Sequence, residues 1–258
     1  MNIQISDKKK KDMFVSVFQV LKNCTSLVCA KFETERLHIQ GMDKSHICLF
    51  DVKLNKSWFT KYDVPKYARI CFDTNIFHSI ISTKGENQDL LIMMDDATQD
   101  TLHINFDSHD TKKSDFKKSF KMPLADFDYD EMHIPDVDYD AEFSLSAKQI
   151  SEMFAQLSNF GSDINIRCTE QEIDLTTNGV SGEMKVEIPI DDLTIYSIVE
   201  DAEITLTYSL AYMNKMCITN KLSTDINFSL SNDRPMKIEY SLGDESSMVF
   251  FIAPKMED

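Results

Sequence analysis

The chain has 258 residues, 27 of them basic and 43 acidic, for a formal net charge of −16; 42 % are hydrophobic and 10 % aromatic. Such a length carries one large domain or two moderate ones with real cores, and the composition excludes a disordered chain. The acidity argues at first against a nucleic-acid partner, yet residues 1–120 hold 18 basic and 16 acidic side chains, whereas residues 121–258 hold 9 and 27, an asymmetry that points to different faces for different partners.

At the start, Met1–Asp7 leads into Lys8–Lys11 with no apolar stretch behind, so no signal peptide is expected. Phe14, Val17, Phe18 and Leu21 recur at helical spacing and predict a first short helix. In Ile47–Leu54, Cys48, Phe50, Val52 and Leu54 form one apolar strand face, but Ile47 and Leu49 make the other face apolar too. That pattern fits two-sided burial or an exposed patch for a partner equally well. A second helix is predicted at Ile76, Phe77, Ile80 and Ile81, introduced by Asp73, and Leu102, Ile104 and Phe106 alternate as a strand. Met122–Asp140, rich in Asp, reads as an extended solvated connector. A third helix follows at Ile150, Met153, Phe154 and Leu157, opened by Ser146–Gln149 as a capping box. Period-2 alternation then marks 164–168, 184–190, 204–208, 226–230 and 236–242, interrupted by a fourth helix at Leu210, Met213 and Cys217. The run 248–254 is again apolar on both faces.

The order helix, strands, helix, strands occurs over about residues 1–120 and again over about 141–258. This internal duplication is too long in period for a solenoid. The expected fold class is α+β with sheets predominating, divided into an N-terminal domain 1–121, a connector 122–140 and a C-terminal domain 141–258. No run approaches about 18 apolar residues, so no membrane partner is expected. The six Cys form no C-x-x-C and read as reduced, buried thiols of an intracellular protein.

Chemistry by pattern is sparse. The six Gly have no phosphate-loop spacing, and the six His form no H-E-x-x-H and pair with no Cys cluster. Asp126, Asp128 and Asp130 open like a calcium loop, but Glu131 replaces the required Gly and Val137 the bidentate Glu. Asp95 and Asp96 could serve a metal-dependent hydrolase, with no companion acid or base by pattern. These readings favour a binding protein without cofactor or metal, not an enzyme.

Four segments resemble the proliferating cell nuclear antigens, the eukaryotic DNA sliding clamps. Leu37–Ile47 is similar to their L-Q-x-M-D-x-S-H-V segment. Met132–Tyr139 resembles their interdomain connector, L-G-I-P-x-x-x-Y. Pro235–Tyr240 fits P-L-x-x-E-Y, and Phe251–Asp258 resembles the closing Y-L-A-P-K-I-E-D. They stand in the family's order along the whole chain, and the Lys-rich segment Thr111–Lys118 is a departure that points to a divergent member from a protist or a large DNA virus. The resemblance implies two clamp domains of β-sheets with two short helices each, in a homotrimeric ring around double-stranded DNA that acts as a polymerase processivity factor in replication and repair. It implies a nuclear location, or a viral replication site, and opening by an ATP-driven clamp loader. It places Ser119, Phe120, Met122 and Leu124 of one subunit against Gly182, Met184 and Val186 of the next. DNA contacts fall to Lys9, Lys10, Lys11 and Lys22 of the first helix, Lys84 after the second, Lys148 of the third, and Lys215 and Lys221 of the fourth. A client groove is implied at Met42, His46, Ile47, Leu49, Met132, Ile134, Pro135, Pro235, Phe251, Ala253 and Pro254. It would take peptides of the form Q-x-x-aliphatic-x-x-aromatic-aromatic, carried by DNA polymerase and other clients. The alternative reading is a clamp paralogue that scaffolds partners without encircling DNA.

Overall fold

A computed structural model of the chain describes residues 1–94, 100–108, 116–127 and 131–255. The chain divides into two compact units. The first comprises Met1–Gly41, Asp51–Met132 and Leu242–Met248; the second comprises Met42–Phe50, His133–Ser241 and Val249–Asp258. The second therefore takes in a short piece of the N-terminal half, and the first a short piece near the C-terminus.

In the first unit the strands β1 (Asn2–Ile5), β5 (Lys61–Asp63), β7 (Gln88–Met93), β8 (Thr101–Ser108) and β9 (Lys118–Pro123) form one sheet in the order β5-β1-β7-β8-β9. The strands β2 (Leu27–Phe32), β3 (Arg36–Met42), β4 (Cys48–Asn55) and β6 (Ala68–Asp73) run in the order β4-β3-β2-β6. In the C-terminal half β10 (Ala141–Ser146), β14 (Ile195–Ile198), β16 (Asp225–Leu230), β17 (Met236–Gly243) and β18 (Ser246–Ile252) run β14-β10-β16-β17-β18, all in the second unit but for Leu242–Met248. A four-stranded sheet there, β13-β12-β11-β15, is made of β11 (Asp163–Cys168), β12 (Glu172–Gly179), β13 (Gly182–Pro189) and β15 (Ile204–Ser209). Advancing every label from β1 to β9 by nine reproduces both strand orders of β10 to β18. The duplication is thus one of topology.

The four expected helices are present: α1 (Lys8–Cys24), α2 (Thr74–Ile81), α3 (Ala147–Leu157) and α4 (Leu210–Met216). Side-chain caps start two of them. Asp7 accepts from the Lys10 amide at 2.8 Å, and Asp73 from the Asn75 and Ile76 amides at 2.8 and 2.9 Å. The Ser146 capping box does not form, since that side chain makes no capping bond. The Ala147 amide donates instead to the Thr224 carbonyl at 2.8 Å, so a partner beyond the helix already satisfies the first orphan donor.

Strand registers follow the period-2 pattern. Leu90 and Ile92 face Phe106 and Ile104, which in turn align Ile104 with Phe120. The first core is aromatic: Phe18 and Phe77 approach to 4.5 Å and Phe72 and Phe77 to 4.7 Å, with Phe14 and Trp58 alongside. Trp58 is fully buried, and its indole N–H donates to the Leu242 carbonyl at 2.9 Å. In the second core Phe143 stacks on Phe228 at 4.9 Å, and the buried Tyr240 hydroxyl donates to the Met216 carbonyl.

The fully reduced cysteine set is corrected here. β2 and β6 pair in a register that puts Cys29 directly opposite Cys71, Cα atoms 4.0 Å apart, and the two form a disulfide. Their separation of 42 residues gave no sequence signal. The other four Cys are buried thiols outside any disulfide; burial pushes the thiols of Cys168 and Cys217 up to about 12, where they are inert.

Candidate nucleic-acid face and client groove

Helices α1 and α2 pack together in the first unit, as do α3 and α4 in the second. Lys9, Lys148, Lys215 and Lys221 are exposed to solvent. Lys148 lies 4.0 Å from Glu152 one turn on, and the Lys215 ammonium sits 5.1 Å from the Tyr212 ring centroid. The other four expected DNA contacts are engaged within the first unit. Lys10 pairs with Asp244 at 2.6 Å and lies over the Trp58 ring. Lys84 pairs with Asp12. Lys22 lies 3.2 Å from His78 Nδ1; burial, with the neighbouring Lys22 charge, holds that imidazole below its ordinary range, which leaves a neutral ring as acceptor.

Lys11 is not on the surface at all. It is 2 % exposed, and its ammonium donates to the Glu86 and Gln88 carbonyls. A phosphate contact would require those bonds to break. The sequence did hold a signal for this: Lys11 stands three residues before Phe14 and seven before Phe18, on the buried stripe of α1.

The groove residues lie in the second unit apart from Met132. The turn between β3 and β4 is organised by Asp43, which is 7 % exposed. Its Oδ1 accepts from the Ile47 and Cys48 amides, both at 2.8 Å; its Oδ2 accepts from the Ser45 amide at 3.1 Å and the Tyr212 hydroxyl at 2.7 Å. Burial opposes the ionised form, but the donors from Cys48, Tyr212, Ser45 and Ile47 outweigh it and hold the carboxyl below its ordinary range. The turn sets His46 at φ 55° and presents both His46 and Ile47 to solvent.

A backbone bond at 3.1 Å joins the Ala253 amide to the Ile47 carbonyl. On the connector, the Tyr139 hydroxyl donates to the Pro235 carbonyl at 3.2 Å, and Arg234 to the Asp138 carbonyl at 2.6 Å. Pro135, Pro235 and Ala253 are exposed, whereas Met42, Ile134, Phe251 and Pro254 are half-buried. Leu49, 9 % exposed, is packed inside. Two-sided burial thus describes most of β4 and β18, and Ile47 is left outside at 38 % exposure. In the first unit Met132 is fixed by Gln40, whose side-chain amide bonds both the Met132 N–H at 2.8 Å and its carbonyl at 3.0 Å. Glu131 beside it pairs with Lys31 and lies 3.4 Å from His38, which is bonded to the buried Asp51 at 2.6 Å.

The expected subunit edges end their sheets. β9 closes one, with Ser119 exposed, Phe120 and Leu124 half-buried, and the Met122 side chain 2 % exposed in the core. β13 closes another, opening at Gly182 with φ 115° and carrying half-buried Met184 and Val186. Gly tolerates that left-handed backbone where a side chain would be strained. A cavity of about 470 Å³ in the second unit, lined by Leu145, Gln149, Glu152, Met153, Ile188 and Asp192 among others, had no sequence signal.

Among the described residues no group of three or more His, Cys, Asp or Glu could hold a metal ion, and no helix is long and apolar enough to cross a membrane. Asp95, Asp96, His109 and most of Thr111–Lys118 and Asp126–Asp130 lie outside the described residues.

The family model for the N-terminal domain of proliferating cell nuclear antigen matches residues 7–132, and that for its C-terminal domain matches residues 133–255. The chain is also 23 % identical over 245 residues to DNA polymerase sliding clamp 1 of Thermococcus kodakarensis, covering 95 % of each chain. Two consecutive family domains on a duplicated α+β topology establish that this chain belongs to the proliferating cell nuclear antigen family of sliding clamps.

Proposed function

We propose that the chain is a DNA sliding clamp and polymerase processivity factor, acting as a head-to-tail ring of three copies around duplex DNA. The observation that carries this reading is the nine-step repeat of the topology. Within the second unit a backbone bond joins Ala253, just past β18, to Ile47, just before β4. The equivalents of β18 and β4 are β9 and β13, each of which stands at the end of its sheet. An open edge invites a strand from another chain, and a heterologous contact between two unlike edges closes into a ring when the rotation permits.

Processivity then comes from topology and needs only weak phosphate contact. The exposed Lys9, Lys148, Lys215 and Lys221 supply it, with little base preference and a salt slope of roughly 0.9 per phosphate neutralised. Polymerase and other clients dock through the Ile47 face by short peptides with aliphatic and aromatic anchors. An ATP-driven loader opens the ring, and the setting is the nucleus or a viral replication site, in replication and repair. The chain itself carries out no chemistry and uses no cofactor.

The engagement of Lys10, Lys11, Lys22 and Lys84 favours one second reading, a paralogue that scaffolds clients without encircling DNA. Loading onto nicked circular DNA, followed by linearisation, separates the two. The clamp sediments as three chains, stays on circles and is lost from linear ends. A trimer that binds client peptide but never stays on circles establishes the paralogue, and a monomer refutes the ring.

A further inference from the structure

We propose that Tyr212 is a positioning residue for the client face: from α4 its hydroxyl holds the Asp43 carboxylate, and through it the turn that presents His46 and Ile47. This rests on the reading of that face as the client site.

Of the four donors on Asp43, three are amides of the turn itself, Ser45, Ile47 and Cys48. They fold the turn but do not say where it sits. The Tyr212 hydroxyl, at 2.7 Å, comes from a helix 169 residues away along the chain. That helix is anchored by Leu210, Met213 and Met216, each 1 % exposed or less, and its first amide donates to the Ser162 carbonyl at 2.9 Å. A rigid element therefore reaches the turn through a charge-assisted bond, and such bonds are the strong ones; the other link from this helix, Cys48 Sγ to Met216 Sδ at 3.8 Å, is a weak sulfur contact. Partial burial, and the Asp43 carboxylate beside it, hold the Tyr212 phenol above its ordinary range, so it stays a proton donor throughout the neutral range. His46 in the left-handed region adds to the need for an external hold, because that backbone is disfavoured for a side chain with a Cβ. Lys215 lies over the Tyr212 ring on the same helix, so the element offered to phosphate also sets the client turn.

Tyr212→Phe in the full chain keeps the ring and removes only the hydroxyl. Amide exchange of Ser45, Ile47 and Cys48 should speed up while the unfolding midpoint stays close to the parent's. A synthetic Q-x-x-aliphatic-x-x-aromatic-aromatic peptide, titrated calorimetrically, should bind roughly three- to tenfold more weakly. Unchanged exchange at those amides overturns the proposal, because the bond then does not hold the turn. So does faster exchange with parental affinity, provided that Ile47→Ser weakens the peptide. If Ile47→Ser leaves affinity at the parent value, the peptide docks elsewhere, and it is the client-face reading that falls.

Discussion

Replacing Lys11 with Met keeps most of a buried aliphatic stem and removes the ammonium at its tip. In the parent that group donates to the Glu86 and Gln88 carbonyls, just ahead of and at the start of β7, and its charge faces Asp89, 3 % exposed. The variant leaves two carbonyls without their donor and takes a compensating charge from beside a buried carboxylate. Each orphaned acceptor costs about 1–3 kcal/mol; relief of the ammonium's own burial offsets part, for a net loss of about 2–4 kcal/mol. For a unit of this size the thermal midpoint falls by roughly 5–12 °C. Burial holds the folded Lys11 below its ordinary value of 10.5. Between the folded value and 10.5 the unfolded chain binds the more protons, so the parent gains stability over the variant as pH climbs towards 10.5. Urea unfolding followed by circular dichroism at several pH values reads both effects. Lys9→Met, at an exposed position two residues away, should shift stability by less than about 0.5 kcal/mol and instead weaken DNA retention while making it fall less steeply with salt, by roughly 0.9 in the slope. A Lys11→Met protein as stable as the parent, yet weakened on DNA, would refute the buried role.

Two further outcomes are expected. Pro123 already lacks an N–H at the end of β9, and Lys121 has the same parity in the ladder opposite His103; Lys121→Pro should therefore block only the open edge and give monomers with a parental far-ultraviolet spectrum by light scattering, whereas persistent trimers would move the contact to another strand. Reducing the Cys29–Cys71 disulfide, which closes a separation of 42 residues, should lower stability by about 2–4 kcal/mol, and Cys29→Ser with Cys71→Ser should abolish the response to reductant; equal urea midpoints with and without reductant would count against the bond.

Periodicity along the chain was enough to locate all four helices, most strands and the duplication, because each depends on neighbours three to four, or two, residues away. The family segments were legible for the same reason: Asp43 with Ile47, or Ile134 with Pro135, keep their spacing in any fold. Tertiary structure alone decided how equivalent residue types differ. Lys9 and Lys11 belong to one basic run, but at 100° per residue one meets water and the other is buried against the Glu86 and Gln88 carbonyls. Cys29 meets Cys71, and Asp43 meets Tyr212, only through pairings that close 42 and 169 residues of chain. Leu49 and Ile47 share a strand face in sequence, yet the sheet buries one and leaves the other at the turn. Such outcomes depend on the register and packing of elements far apart along the chain, and no local period encodes them.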